Sequence, residues 1–182
     1  MLLLAVQPML LRSRRRRAHR GLGRVGVGLG VAFVVSSVLL AGHSVRRMPA
    51  DLFAHEGRFV YLPLAMALLF AIALALAVHW RHVPAAHGRF MACTTLPLLD
   101  PLFARLLYTH GPALPTPWLY QVPAFTTFGI VLALVWHRWP AGQPGRDTWA
   151  GYGFAAAATL AGFFVVPDLT AWQAVVAHWR GL

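Results

Sequence analysis

The sequence predicts an all-α fold, an integral membrane bundle of about five transmembrane helices. Apolar blocks of membrane-spanning length recur along the chain, and short arginine-bearing loops separate them. The composition is too oily for an ordinary soluble domain: 182 residues, 58% hydrophobic, 12% charged, with a mean hydropathy of +0.60. The blocks are continuously apolar and rich in Leu and Ala, without the alternation that barrel strands require. In lipid a backbone must satisfy its own hydrogen bonds, so continuous apolar blocks become helices.

Residues 1–20 form an arginine-rich leader. Its apolar start precedes the charge, the reverse of a signal peptide, and reads as a mobile or interfacial segment or as a start codon placed ahead of Met9. Ser13-Arg14-Arg15 has the letters of a twin-arginine signal, but four further apolar spans follow the first and no small-residue cleavage pattern accompanies it. Residues 21–167 hold the spans, expected at 21–41, 59–79, 90–107, 119–136 and 148–166, each close to the ~20 residues that cross ~30 Å of hydrocarbon. Residues 168–182 place Leu169, Trp172, Val176 and Trp179 at helical spacing, which predicts an amphipathic helix in the interface.

Orientation follows from the arginines. All sixteen basic residues are arginine, and seven of them lie between Arg12 and Arg24, ahead of the first span. Alternation then places eleven arginines inside and four outside, with Arg105 set aside because it lies within a span. The expectation is an inner-membrane protein with its N-terminus cytoplasmic and its C-terminus outside. A net charge of +11 in a soluble chain would suggest nucleic acid; beside apolar spans it specifies topology and attracts anionic headgroups, so no nucleic-acid partner is expected. The expected partners are the lipid bilayer and either another membrane protein or a second copy of the chain.

Small residues mark close helix packing. Gly26 and Gly30 form a GxxxG pair in the first span, and Gly151 with Ala155 and Ala158 with Gly162 repeat the spacing in the last. The glycine run 21–26 matches the letters of a dinucleotide fingerprint, but no strand precedes it and no βαβ unit surrounds it. Cys93 is the only cysteine, which excludes an intramolecular disulfide and a cysteine-cluster metal site.

Asp100 is the costly residue of the third span. At mid-span ~15 Å of helix separates it from either surface, and a central acid costs ~2.5 to 3.5 kcal/mol on insertion scales. It must face protein or water. Pro101 follows it and Pro97 lies four residues before that, so a kink is expected. Either Asp100 accepts hydrogen bonds from neighbouring helices or caps the helix that restarts there, or it lines a polar pathway and exchanges protons. Arg105 points about 140° away from Asp100 by helical geometry and can snorkel outward.

Seven histidines sort to the two membrane edges. His43 and His110 fall on the outer side at the ends of the first and third spans; His79 and His137 fall on the inner side at the ends of the second and fourth. Each pair can be drawn as the axial ligands of a haem b, against the ordinary reading of interfacial or capping histidines. His79, His82 and His87 can also be drawn as a three-histidine metal cluster. His55-Glu56 begins a zinc-protease motif, but Phe59 stands where the second histidine is needed.

His87-Gly88-Arg89-Phe90-Met91, followed by an apolar span, resembles the His-x-Arg-x-Met helix entry of several families of uncharacterised bacterial multipass membrane proteins. Some members of that general type are linked with respiratory oxidase assembly or with b-type cytochrome folds. The resemblance covers the second to fourth spans and implies a respiratory-membrane setting; Asp100, Pro101 and Arg105 lie downstream of the motif and are not part of it. The function expected is that of a small accessory or assembly subunit of a membrane complex without enzymatic activity. The alternatives are a haem-binding redox protein using the histidine pairs and a proton-coupled transporter centred on Asp100. Serine-nucleophile, P-loop and nucleic-acid readings have no supporting motif.

Overall fold

The computed structural model describes residues 16–98, 109, 129, 130, 132, 133, 136, 137, 139–162 and 165–181. These residues form an all-helical structure with no strand among them. The elements are α1 (Arg16–Arg47), α2 (Ala50–Glu56), a 3-10 turn Gly57–Val60, α3 (Tyr61–His79), α4 (Pro84–Cys93), α5 (Arg146–Gly162), a 3-10 turn Val166–Asp168, and α6 (Thr170–Gly181).

Two of these helices are long and apolar enough to cross a membrane, Arg17–Arg47 within α1 and Tyr61–His79. α1 has 32 residues and is therefore ~48 Å long. It exceeds the expected span of 21–41 at both ends because its ends are polar turns that continue the helix: Arg16, Arg17, Arg20 and Arg24 before, Arg46 and Arg47 after. The uncharged stretch between Arg24 and Arg46 matches the ~30 Å of a bilayer core. α3, at 19 residues, reaches ~28 Å.

α3 is the central element, packed by α1, α4 and α5. Its small residues Ala65, Ala73 and Ala77 are buried between larger neighbours, which lets the surrounding helices approach. Gly30 of α1 meets Leu74 and Phe70 of α3, and Gly162 of α5 meets Tyr61 at the start of α3. The Tyr61 hydroxyl donates to the Thr159 carbonyl at 2.9 Å. Near the opposite end of α3, a His87 ring nitrogen on α4 pairs with the Ala77 carbonyl. α1, α4 and α5 thus all run antiparallel to α3.

The glycine expectation divides. Gly30 and Gly162 sit at close approaches, whereas a Cβ at Gly26 or Gly151 meets nothing within 4 Å. Gly26 shares a helix face with Gly30, and Gly151 with Gly162, so the difference lies along the helix axis: the neighbour that meets one glycine of each pair does not reach the other.

The third block departs from its expected start at residue 90. α4 begins at Pro84, which suits the first helical turn because it lacks only an amide hydrogen that has no partner there, and it stops at Cys93. Pro97 explains the stop, since it cannot donate to the Cys93 carbonyl and its ring crowds that group. The Thr94 and Thr95 hydroxyls cover the turn by donating to the Met91 and Ala92 carbonyls at 2.7 and 2.6 Å. The break therefore comes ahead of Pro97. Asp100, Arg105 and His110 lie outside the described residues, as does most of the expected fourth span.

Two clusters form the core. The larger joins α3, α4, the 139–145 loop and α5 through Leu69, Phe90, Cys93, Trp139, Trp149 and Tyr152. The smaller, at the end where α1 finishes and α3 begins, joins Ala41, Val45, Val60 and Val176, with Phe53, Trp172 and Trp179 packed around it. α6 applies an apolar stripe to α1 and the Gly57–Val60 turn. Val176 is 2% exposed, whereas Leu169, before the helix begins, and Val175 are turned outward. Arg180 fixes the far end of α6 over the Phe53 ring at 4.2 Å, with a hydrogen bond to the Met48 carbonyl at 3.4 Å.

Candidate functional site

The chemically richest place among the described residues is the end of the bundle where α3 finishes, α4 and α5 begin, and the 139–145 loop crosses between them. Pro140, Pro144 and two glycines at positive φ, Gly142 (76°) and Gly145 (85°), shape that loop. Gly145 also has to be small: a Cβ there would lie 3.0 Å from the Ala86 Cβ and 3.2 Å from Trp139. This contact draws the first turn of α5 against the first turn of α4 and buries Trp139 to 1% exposure.

Trp139 and Trp149 pack with ring centroids 6.1 Å apart, Trp149 stacks on Trp136 at 5.6 Å, and Phe90 meets Trp139 edge-on at 6.0 Å. Two guanidinium groups lie on this aromatic platform. Arg89 sits 4.4 Å from the centre of Trp139, and Arg146 sits 4.3 Å from the centre of Trp136. Each uses the ring's negative face, an attraction worth ~0.5 to 2 kcal/mol depending on desolvation. Both arginines are half-buried. Several donors in the same cluster are buried without a hydrogen-bond partner among the described residues: the indole N–H groups of Trp80, Trp139 and Trp149, the Tyr152 hydroxyl, and Arg146 Nε. Native structures pair nearly all such groups, and among the described residues the cluster holds more buried donors than acceptors for them.

His79, His82, His87 and His137 lie toward the same end, but the described histidines are not assembled into a metal site. Among the described residues no group of three or more His, Cys, Asp or Glu is placed to hold a metal ion. His79, His82 and His87 do not come together as such a group, and the reason is local. The His82 Nε2 accepts from Arg81 Nε at 3.0 Å, the His87 Nδ1 pairs with the Ala77 carbonyl at 2.7 Å, and the exposed His79 ring packs edge-on against Trp80 at 5.4 Å. A carbonyl only accepts, so His87 carries its proton on Nδ1. His137 is exposed. His43 is exposed on α1, where it borders a shallow apolar groove with Phe33, Ser36, Ser37, Leu39 and Leu40; its expected partner His110 lies outside the described residues.

Arg89 and Arg146 count among the arginines that set topology, and Arg89 also stands in the His-x-Arg-x-Met pattern, but neither reading connects them with the tryptophans. The available signal was three tryptophans, 136, 139 and 149, interleaved with arginines and flanking a loop rich in proline and glycine. No family model, curated protein or solved structure matches this chain.

Proposed function

We propose that this chain is a multipass inner-membrane protein of five helices, with its N-terminus inside and its C-terminus outside, that serves as a non-enzymatic accessory or assembly subunit of a membrane complex. The observation that carries the reading is the surface of α1. Val25, Leu29, Val31, Val35, Leu39 and Leu40 are each more than half exposed along the uncharged stretch between Arg24 and Arg46. An apolar surface of that length, ending in arginines on both sides, fits hydrocarbon and not water. The antiparallel placement of α1, α4 and α5 against α3 agrees with alternating crossings, in which the first, third and fifth spans run one way and the second returns. The open face at Gly26 on the same helix suits close approach by a helix of another subunit.

The test has two parts. Alkaline carbonate washing of membranes should leave the protein in the pellet; release into the supernatant ends the membrane reading. Purification in mild detergent should then recover the chain with larger membrane proteins in reproducible proportion. Repeated isolation of the chain alone ends the subunit reading.

A further inference from the structure

We infer that the chain self-associates in the membrane: the face of α5 that carries Asp147 and Phe154 seats on the face of α1 that carries Arg24, Gly28 and Ala32 in the next copy. The inference rests on the membrane reading above and names a second copy as the partner of these two helices. On α1, Arg24, Gly28 and Ala32 follow at every fourth position and are all exposed, about half a turn round from the Gly30 that packs on α3. A Cβ at Gly28 would meet nothing within 4 Å. On α5, Asp147, Phe154 and Ala161 recur at every seventh position and so share one face. All three are exposed, and Phe154, at 78%, is the most exposed large apolar side chain among the described residues.

Both helices run antiparallel to α3 and hence parallel to one another, so copies inserted with one orientation present them start to start. Phe70 and Leu74 of α3 meet α1, whereas Tyr61, nine positions before Phe70 and half a turn round the helix, meets α5. The two outward faces therefore lie on different sides of the bundle, and each is offered to a different neighbour in a heterologous contact. Depth also matches. With Gly30 beside Leu74 and Phe70, and Gly162 beside Tyr61, the ~1.5 Å rise per residue puts Asp147 within about one helical turn of Arg24, and Phe154 within about one turn of Ala32. The acid then stands by the arginine at the cytoplasmic end, and the phenyl ring, which leans toward the start of its own helix, covers the small residues Gly28 and Ala32. Charge opposes the like-with-like contacts, because α1 on α1 sets Arg24 against Arg24 and α5 on α5 sets Asp147 against Asp147. Asp147 in the first turn also suits the dipole of its own helix, a role that a changed charge on another copy does not touch.

Self-association of the full chain is measured in liposomes by energy transfer between copies labelled at the C-terminus with donor or acceptor, over a range of protein-to-lipid ratios. Transfer should exceed the chance level and rise with protein density. F154A should weaken association about tenfold. L40A, which trims another exposed apolar side chain on a different face of α1, should leave it unchanged. R24D alone and D147R alone should each weaken it about tenfold, because an attraction gives way to a repulsion of like size. A mixture of these two variants should associate again, since their charges match only between unlike copies. That recovery cannot arise within one chain, and F154A serves if a charge variant does not insert. Chance-level transfer, equal effects of F154A and L40A, or no recovery in the mixture overturns the contact and leaves both faces to lipid. Carbonate washing separates the two claims, because a protein that stays in the pellet yet remains single fails only the self-association.

Discussion

Gly30 stands so close to Leu74 that a Cβ on the glycine would lie 2.6 Å from the leucine Cδ2, with the Phe70 ring at 3.4 Å behind it. The contact sets the approach of α1 to α3. Phe33, one turn further along α1, meets the same Phe70 ring edge-on at 5.0 Å.

G30I should destabilise the folded protein by about 1 to 3 kcal/mol through overpacking. G26I, one turn earlier on the same helix, should be nearly neutral because nothing lies within 4 Å of its position. Thermal unfolding of both variants in one detergent checks the difference. Equal effects would mean that α1 does not seat on α3 through Gly30.

Tyr61 joins the start of α3 to α5 through its hydrogen bond with the Thr159 carbonyl, and its ring also packs against Trp172 at 5.8 Å. Y61F keeps the ring and removes the bond, which should cost about 1 kcal/mol. G162A would press a Cβ to 2.6 Å from the same hydroxyl. The penalty of G162A should shrink in the Y61F background, and a double-mutant cycle measures that coupling. Strict additivity of the two changes would separate Gly162 from Tyr61.

α6 buries Val176 between α1 and the 3-10 turn. V176D places a charge in that contact and should release the helix, seen as faster amide hydrogen exchange across residues 170–181. Unchanged exchange would mean that the stripe lies in lipid, as an interfacial tail, and not on the bundle.

Orientation can be read with an impermeant maleimide on intact spheroplasts. Cys93 is fully buried and should stay unlabelled, so it does not interfere. S44C, exposed near the end of α1, should be labelled from outside, whereas Q143C, exposed in the loop before α5, should react only after the membrane is opened. The reverse pattern would invert the proposed topology.

The histidine reading shows where pattern and packing part. Spacing brings His79, His82 and His87 near one another in the chain, but it carries no information about which ring nitrogen a neighbour occupies. Arg81 and the Ala77 carbonyl take two of those nitrogens, and only a folded chain reveals this. Arg89 and Arg146 present the opposite case. They are 57 residues apart in sequence, and their shared platform exists because Gly145 can approach Ala86.

What the sequence determined by itself is what local chemistry controls. Continuous apolar composition makes helices, arginines on both sides of residues 25–45 bound an uncharged segment of bilayer length, Pro97 interrupts the third block, and the spacing of Trp172, Val176 and Trp179 makes the tail amphipathic. The tertiary structure alone decided which face of each helix meets a neighbour: Gly30 set against Leu74, Gly162 against Tyr61, Val176 turned onto α1, Arg89 laid on Trp139. The physical reason is rotational. A helix that is apolar all round has no periodic stripe to orient it, so its rotation about its own axis is set by the fit of side chains from distant segments, and that fit exists only once those segments have packed.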